Sequence, residues 1–139
     1  MTPIYAQDHD FSKYNVLAVD DVPLNLLLVT KMLSKFNFKL RTAANGRQAL
    51  DAVAEQKPDL ILLDLMMPEI DGFEVIRRLR EDASTADIQI VILSALNSNE
   101  DVVKGFNLGA NDFIMKPIIM EKLLTCVVNQ LQIAESKKQ

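Results

Sequence analysis

The 139-residue sequence predicts an α/β fold: a single doubly wound sheet of five parallel strands with helices on both faces. Two observations predict it. Short apolar runs alternate five times with segments of helical period, and Asn, Gly or Pro punctuates the junctions. The first, third and fourth runs, VLAV, LILL and IQIVIL, show hardly any polar alternation, which is the pattern of parallel strands covered by helices on both sides and joined by right-handed crossovers.

Taken in order, the first strand is expected at Val16–Val19, followed by a helix over Pro23–Phe36 with Pro in its first turn. Leu28, Val29, Met32, Leu33 and Phe36 form one stripe of that helix, with Leu27 near the opposite side and Leu24 and Leu26 at its flanks. That is more apolar surface than one core face needs, and it marks Leu24, Leu26 and Leu27 as a candidate docking surface. The second strand, Leu40–Ala43, leads to a helix over Arg47–Glu55. The third, Leu60–Leu63, ends in Asp64, the chain breaks at Pro68 and Gly72, and a helix over Phe73–Glu81 follows. A fourth strand over Ile88–Leu93 precedes a helix over Glu100–Asn107, and a fifth over Phe113–Met115 precedes a helix over Met120–Ile133. Residues 1–13 read as a flexible tail, 14–133 as the one folded domain and 134–139 as a fraying end. Cys126, between Leu123, Leu124, Val127 and Val128, reads as a small core residue.

Composition excludes several classes. A net charge of −4 without a run of basic residues gives no footprint for direct nucleic-acid binding. No apolar stretch reaches the length of a membrane span and the amino terminus lacks the plan of a signal peptide, so a cytoplasmic chain with no membrane partner is expected. The single cysteine cannot form an intramolecular disulfide.

The polar residues that terminate the strands carry the chemistry. They are Asp20 and Asp21, then Asp64, then Ser94 with Ala95, then Lys116 with Pro117. All sit at carboxyl ends, where open α/β sheets bind ligands. If the strand order is 2-1-3-4-5, the first and third strands are neighbours and three carboxylates share one pocket. Each pair of like charges some 4 Å apart costs on the order of 1 to 4 kcal/mol, so a cation must belong to the arrangement. Oxygen donors without His or Cys favour Mg²⁺ and exclude zinc, since His9 lies in the tail and Cys126 on the last helix. Lys116 adds a fixed positive charge and Ser94 a hydroxyl that can donate to a phosphoryl oxygen, with room left by Ala95. Each residue taken alone has a plainer role: Asp20 or Asp21 as a helix cap, Asp64 as a turn residue, Ser94 as a cap, Lys116 as a solvated cation.

The segments VLAVDDVPLN, LILLDLMMPEIDGFEV, IVILSA and ANDFIMKP resemble the receiver domain of two-component response regulators, a flavodoxin-like family, over about Asn15 to Leu131. The resemblance implies the strand order 2-1-3-4-5 and a phosphoryl acceptor at Asp64, with Mg²⁺ held by Asp20, Asp21, Asp64 and the backbone carbonyl of Met66. It implies Ser94 as switch hydroxyl, Ala95 beside the phosphoryl group, Lys116 as phosphate contact, and a Lys116–Pro117 peptide that is often cis. Phe113 matches the switch aromatic; as Phe rather than Tyr it keeps the packing part of that switch and no phenol hydrogen bond.

The implied function is that of a signalling phospho-acceptor, not a dedicated enzyme. It accepts a phosphoryl group from a sensor histidine kinase or histidine phosphotransfer protein, assists its own phosphorylation and dephosphorylation, and switches a partner-binding face of fourth helix, fifth strand and fifth helix, where a homodimer could also form. Met66 and Leu96, flanking the pocket, cannot orient a water, so slow self-dephosphorylation is expected. Met1 and the lack of an effector segment favour a free-standing regulator over a module of a hybrid histidine kinase or larger regulator. A haloacid-dehalogenase-like phosphatase is a remote alternative, because it needs an acid two residues after the nucleophile, where this chain has Met66. A flavin-binding or P-loop phosphate site lacks its Gly-rich loop.

Overall fold

The computed structural model describes residues 11–95 and 98–138. The chain runs β1 (Asn15–Val19), α1 (Pro23–Leu33), β2 (Lys39–Ala43), α2 (Gly46–Glu55), β3 (Leu60–Leu63), α3 (Gly72–Glu81), β4 (Gln89–Ser94), α4 (Asn99–Leu108), β5 (Asp112–Met115) and α5 (Met120–Lys137). The five strands form one sheet in the order β2-β1-β3-β4-β5, all parallel, as expected. The registers bring Val19 beside Ala43 and Leu63, and Leu63 beside Ile92, so the carboxyl ends form one edge.

Alternate residues of the central strands enter two cores. Val16, Ala18, Leu60, Leu62, Val91 and Leu93 meet α1 and α5, whereas Leu17, Val19, Ile61, Leu63, Ile90 and Ile92 meet α2, α3 and the end of α4. Period-two alternation sorts side chains to faces, and because both faces are covered both sets are apolar. Each buried Leu or Ile contributes about 1.5 to 3 kcal/mol.

The first helix departs from the expectation in phase and length. Leu26, Val29, Met32 and Leu33 pack on the core, while Leu28 lies 47% exposed beside Leu24 at 61% and Leu27 at 50%. Leu26 thus leaves the outer surface and Leu28 joins it. The helix ends at Leu33 rather than Phe36: the Ser34 hydroxyl donates to the Lys31 carbonyl at 2.6 Å, and the Phe36 ring turns onto Phe11, 5.0 Å between centroids at 68°. Phe11 and Tyr14 are buried, so the folded unit begins before residue 14. At the other end, the expected fraying of 134–139 is replaced by helix through Lys137, because Ala134 is buried, Glu135 pairs with Lys13, and Lys138 pairs with Asp59 at 2.8 Å. Cys126 is buried as expected, its thiol donating to Asp112 at 3.4 Å, and desolvation first, with the Asp112 charge, pushes that thiol up to about 12. Among the described residues no helix is long and apolar enough to cross a membrane.

Candidate functional site

The sheet places the site residues through their peptide groups. The N–H of Asp20 donates to the Ala43 carbonyl at 3.2 Å, that of Asp64 to Val19 at 3.0 Å, and that of Lys116 to Ser94 at 2.8 Å. Each ladder thus runs one residue past its strand, and each polar side chain emerges at the rim of an apolar sheet. The Lys116–Pro117 peptide is cis.

Asp20, Asp21 and Asp64 each offer a carboxylate oxygen, and these atoms lie within 4.8 Å of one another. Asp20 and Asp64 are buried and Asp21 is exposed. The Lys116 ammonium sits 2.9 Å from Asp20 Oδ2 and 3.7 Å from Asp64 Oδ1 with its side chain 20% exposed, so it is not a solvated loop cation. Asp20 is not the helix cap either. Val22 holds that position without a side-chain cap, and Asp20 Oδ1 accepts the Val22 N–H at 2.9 Å. Burial pushes the Asp64 carboxyl up to about 6; Lys116 and the Met66 N–H pull it down, while Asp20 and Asp21 push it further up. Three oxygen donors around one point, two of them buried, fit a hard divalent cation and offer nothing to a soft one.

Ser94 is fully buried on the last residue of β4, and Ala95 after it is exposed. Phe113 is half-buried against the core of α2, α3 and β4. Met66 beside Asp64 is 59% exposed, and Leu96 lies outside the described residues.

Two glycines set the loop after β3. A Cβ on Gly72 would lie 2.5 Å from the Asp64 carbonyl oxygen and 2.7 Å from Leu65 Cα, and one on Gly46 would lie 2.4 Å from the Ile70 carbonyl oxygen. Only glycine lets α2 and α3 approach this loop so closely. Asp71 caps α3 by accepting the Glu74 N–H at 2.9 Å. Sequence reasoning took Gly72 as a chain break and missed this role; the pairing of glycines with an Asp-terminated strand was the available signal.

The response regulator receiver domain model matches residues 16–128. The chain is 39% identical over 112 residues to the DNA-binding dual master transcriptional regulator RpaA of Synechocystis, covering 81% of this chain and 46% of that protein. It is 35% identical to Protein PilH of Pseudomonas aeruginosa over 81% of this chain and 93% of that one. The crystal structure of the signal receiver domain of a histidine kinase from Syntrophus aciditrophicus superimposes with a TM-score of 0.79 at 31% identity, covering 86% and 90% of the two chains. The chain spans less than half the length of the first curated relatives it matches. With a doubly wound sheet in the order 2-1-3-4-5 and an acidic cluster at its carboxyl edge, the chain belongs to the response regulator receiver domain family of two-component systems.

Proposed function

We propose that this chain accepts a phosphoryl group on Asp64 from a histidine kinase or phosphotransfer protein in the cytoplasm and thereby changes its partner-binding face. The observation that carries the reading is the buried Asp64 carboxylate between Lys116 and two further carboxylates at the end of β3. Asp20, Asp21, Asp64 and the Met66 carbonyl would hold Mg²⁺, which when bound supplies neutralisation of the carboxylates and of the transferring group. An Asp64 oxygen attacks phosphorus, the bond from phosphorus to the donor imidazole nitrogen breaks, and the imidazole leaves with the electron pair. Lys116 contacts the new phosphoryl oxygens, and the Ser94 hydroxyl, next to Ala95, donates to one of them. The inward pull of Ser94 opens space for Phe113 and reshapes α4, β5 and α5, where exposed Val103, Phe106 and Met115 offer apolar contact to an effector or a second copy.

The test uses acetyl phosphate and intact-protein mass. A phosphoryl adduct is expected with Mg²⁺, none with EDTA, and none for Asp64→Asn; an adduct of equal yield in the variant overturns the assignment. Kinase docking is proposed for Leu24 and Leu27, named from the sequence with Leu26, and now joined by Leu28 in place of Leu26. Leu27→Lys should slow transfer from a kinase at least about tenfold, the loss of one buried apolar anchor, and leave transfer from acetyl phosphate unchanged.

A further inference from the structure

α4 is anchored at one end. Its only buried residue is Gly105, whereas α3 beside it buries four. At its carboxyl end Gly109 takes φ +112°, its N–H returns to Phe106 and the Ala110 N–H to Gly105, each at 3.0 Å. The Arg80 guanidinium, at the end of α3, seals this joint: Nε donates to the Gly109 carbonyl at 3.0 Å, and the terminal nitrogens donate to the Ala86 and Ile88 carbonyls at 2.9 and 2.7 Å and to Asn111 Oδ1 at 2.9 Å. Asn111 Oδ1 also accepts the Ile90 N–H at 2.7 Å, so one side chain ties α3, the start of β4 and the turn into β5 to the end of α4. At the amino end, the hydrogen bonds of Ser98 with Asp101 stay within the first turn. That end follows Ser94 in the chain by four residues.

We propose that Arg80 is the fixed pivot of α4: occupation of Asp64 swings the Ser94 end of the helix while the Gly109 end stays in place, and Arg80 is the positioning residue that makes the motion a rotation. The inference rests on Asp64 being the phospho-acceptor. A ten-residue helix is about 15 Å long, so a displacement of about 1 to 2 Å at the near end turns it by about 4° to 8° around the pinned end. The half-buried Phe113 ring lies 3.8 Å from where a Gly105 Cβ would stand, so a rotation there changes the space over the ring without lifting the whole helix. Without the guanidinium, three carbonyls lose their donor and the helix end is free to slide.

Hydrogen exchange read by mass spectrometry, with Mg²⁺ and with or without beryllofluoride as the phosphoryl mimic, tests this on the full chain. In the wild type, loading should change exchange at least about fivefold in the first turn of α4 and less than about twofold at 106–110, the span of a typical coupling energy. In Arg80→Gln and Gly109→Ala, which break the joint from its two sides, that gradient should vanish; Arg80→Lys, which keeps one donor, should show a reduced gradient and covers the case in which the others do not fold. A merely structural Arg80 would lower stability equally in both states and leave the gradient intact, and that result overturns the proposal. Acetyl phosphate adducts in the same samples separate the two readings: no adduct in the wild type removes the phospho-acceptor assignment itself, whereas an adduct with uniform exchange along α4 removes only the pivot.

Discussion

The connections after β3 and β4 leave neighbouring strands at the same edge, yet they are built in opposite ways. The first, from Asp64 to Asp71, is pressed between helices whose glycines touch its backbone, is closed by the Asp71 cap, and holds Glu69 at φ +67°, a conformation costly for a residue with a Cβ. The second leads from buried Ser94 into a helix with one buried residue and two large apolar side chains, Val103 and Phe106, about half exposed. The difference teaches a division of labour around Asp64. A nucleophile needs a fixed geometry, and a signal needs an element that can adopt a second packing.

The sharpest way to break the comparison is to add one methyl group on each side. Gly72→Ala places a Cβ 2.5 Å from the Asp64 carbonyl oxygen, a backbone atom with nowhere to go, and should cost about 3 kcal/mol in urea denaturation together with phosphorylation. Gly105→Ala is crowded by the tip of Ile92 alone, at 2.7 Å, with the Phe113 ring in ordinary contact at 3.8 Å, and the helix gains about 1 kcal/mol from exchanging Gly for Ala, so its net change should stay within about 1 kcal/mol. Equal losses would refute the contrast.

A second measurement concerns the charge held by the rigid side. The folded Asp64 carboxyl titrates at about 6 against 3.8 for the ordinary group, so between these values the folded state binds more protons than the unfolded one and stability falls as pH rises. The penalty is absent below about pH 4 and complete above about pH 6. Asp64→Asn should therefore stabilise the metal-free protein by about 1 to 3 kcal/mol at pH 7.5 and not at pH 3.5, as thermal unfolding would show, and added Mg²⁺ should narrow the gap. A constant difference across pH would put the cause elsewhere than in burial of the charge.

The smallest effect lies where the two sides meet. Lys104 of α4 stands 4.3 Å from the centroid of Phe73 on α3. A double-mutant cycle of Lys104→Met and Phe73→Leu should return a coupling of about 0.5 to 1 kcal/mol. A zero value would leave the Arg80 joint as the principal link between these helices.

How much of this was legible in the sequence depends on how each feature is encoded. The strands and the residues at their ends were readable because runs such as LILL can only be buried, and the residue after such a run falls at the sheet edge whatever the loop does. The phase of α1 was not, since leucines at 24, 26, 27 and 28 fill both faces and leave no polar side to mark the outside. Phe11 and the last turn of α5 were misjudged because their partners, Asn37 and Phe36 for one and Asp59 and Lys13 for the other, lie far off in the chain. Arg80 left no signal at all: its acceptors are mostly backbone carbonyls, which every residue supplies, and they lie up to 31 positions away.

The aromatic cluster of Phe11, Tyr14, Phe36 and Phe38 decides what light can report from this protein. The chain has no tryptophan and two tyrosines, of which the described one, Tyr14, precedes β1, about 20 Å along the strand from Asp20. Its emission senses the edge of the sheet remote from Asp64 and stays blind to events there. A tryptophan placed at position 113 would consequently be the sole strong fluorophore, standing under α4 against a dark background, and would turn occupation of Asp64 into a change of colour and intensity.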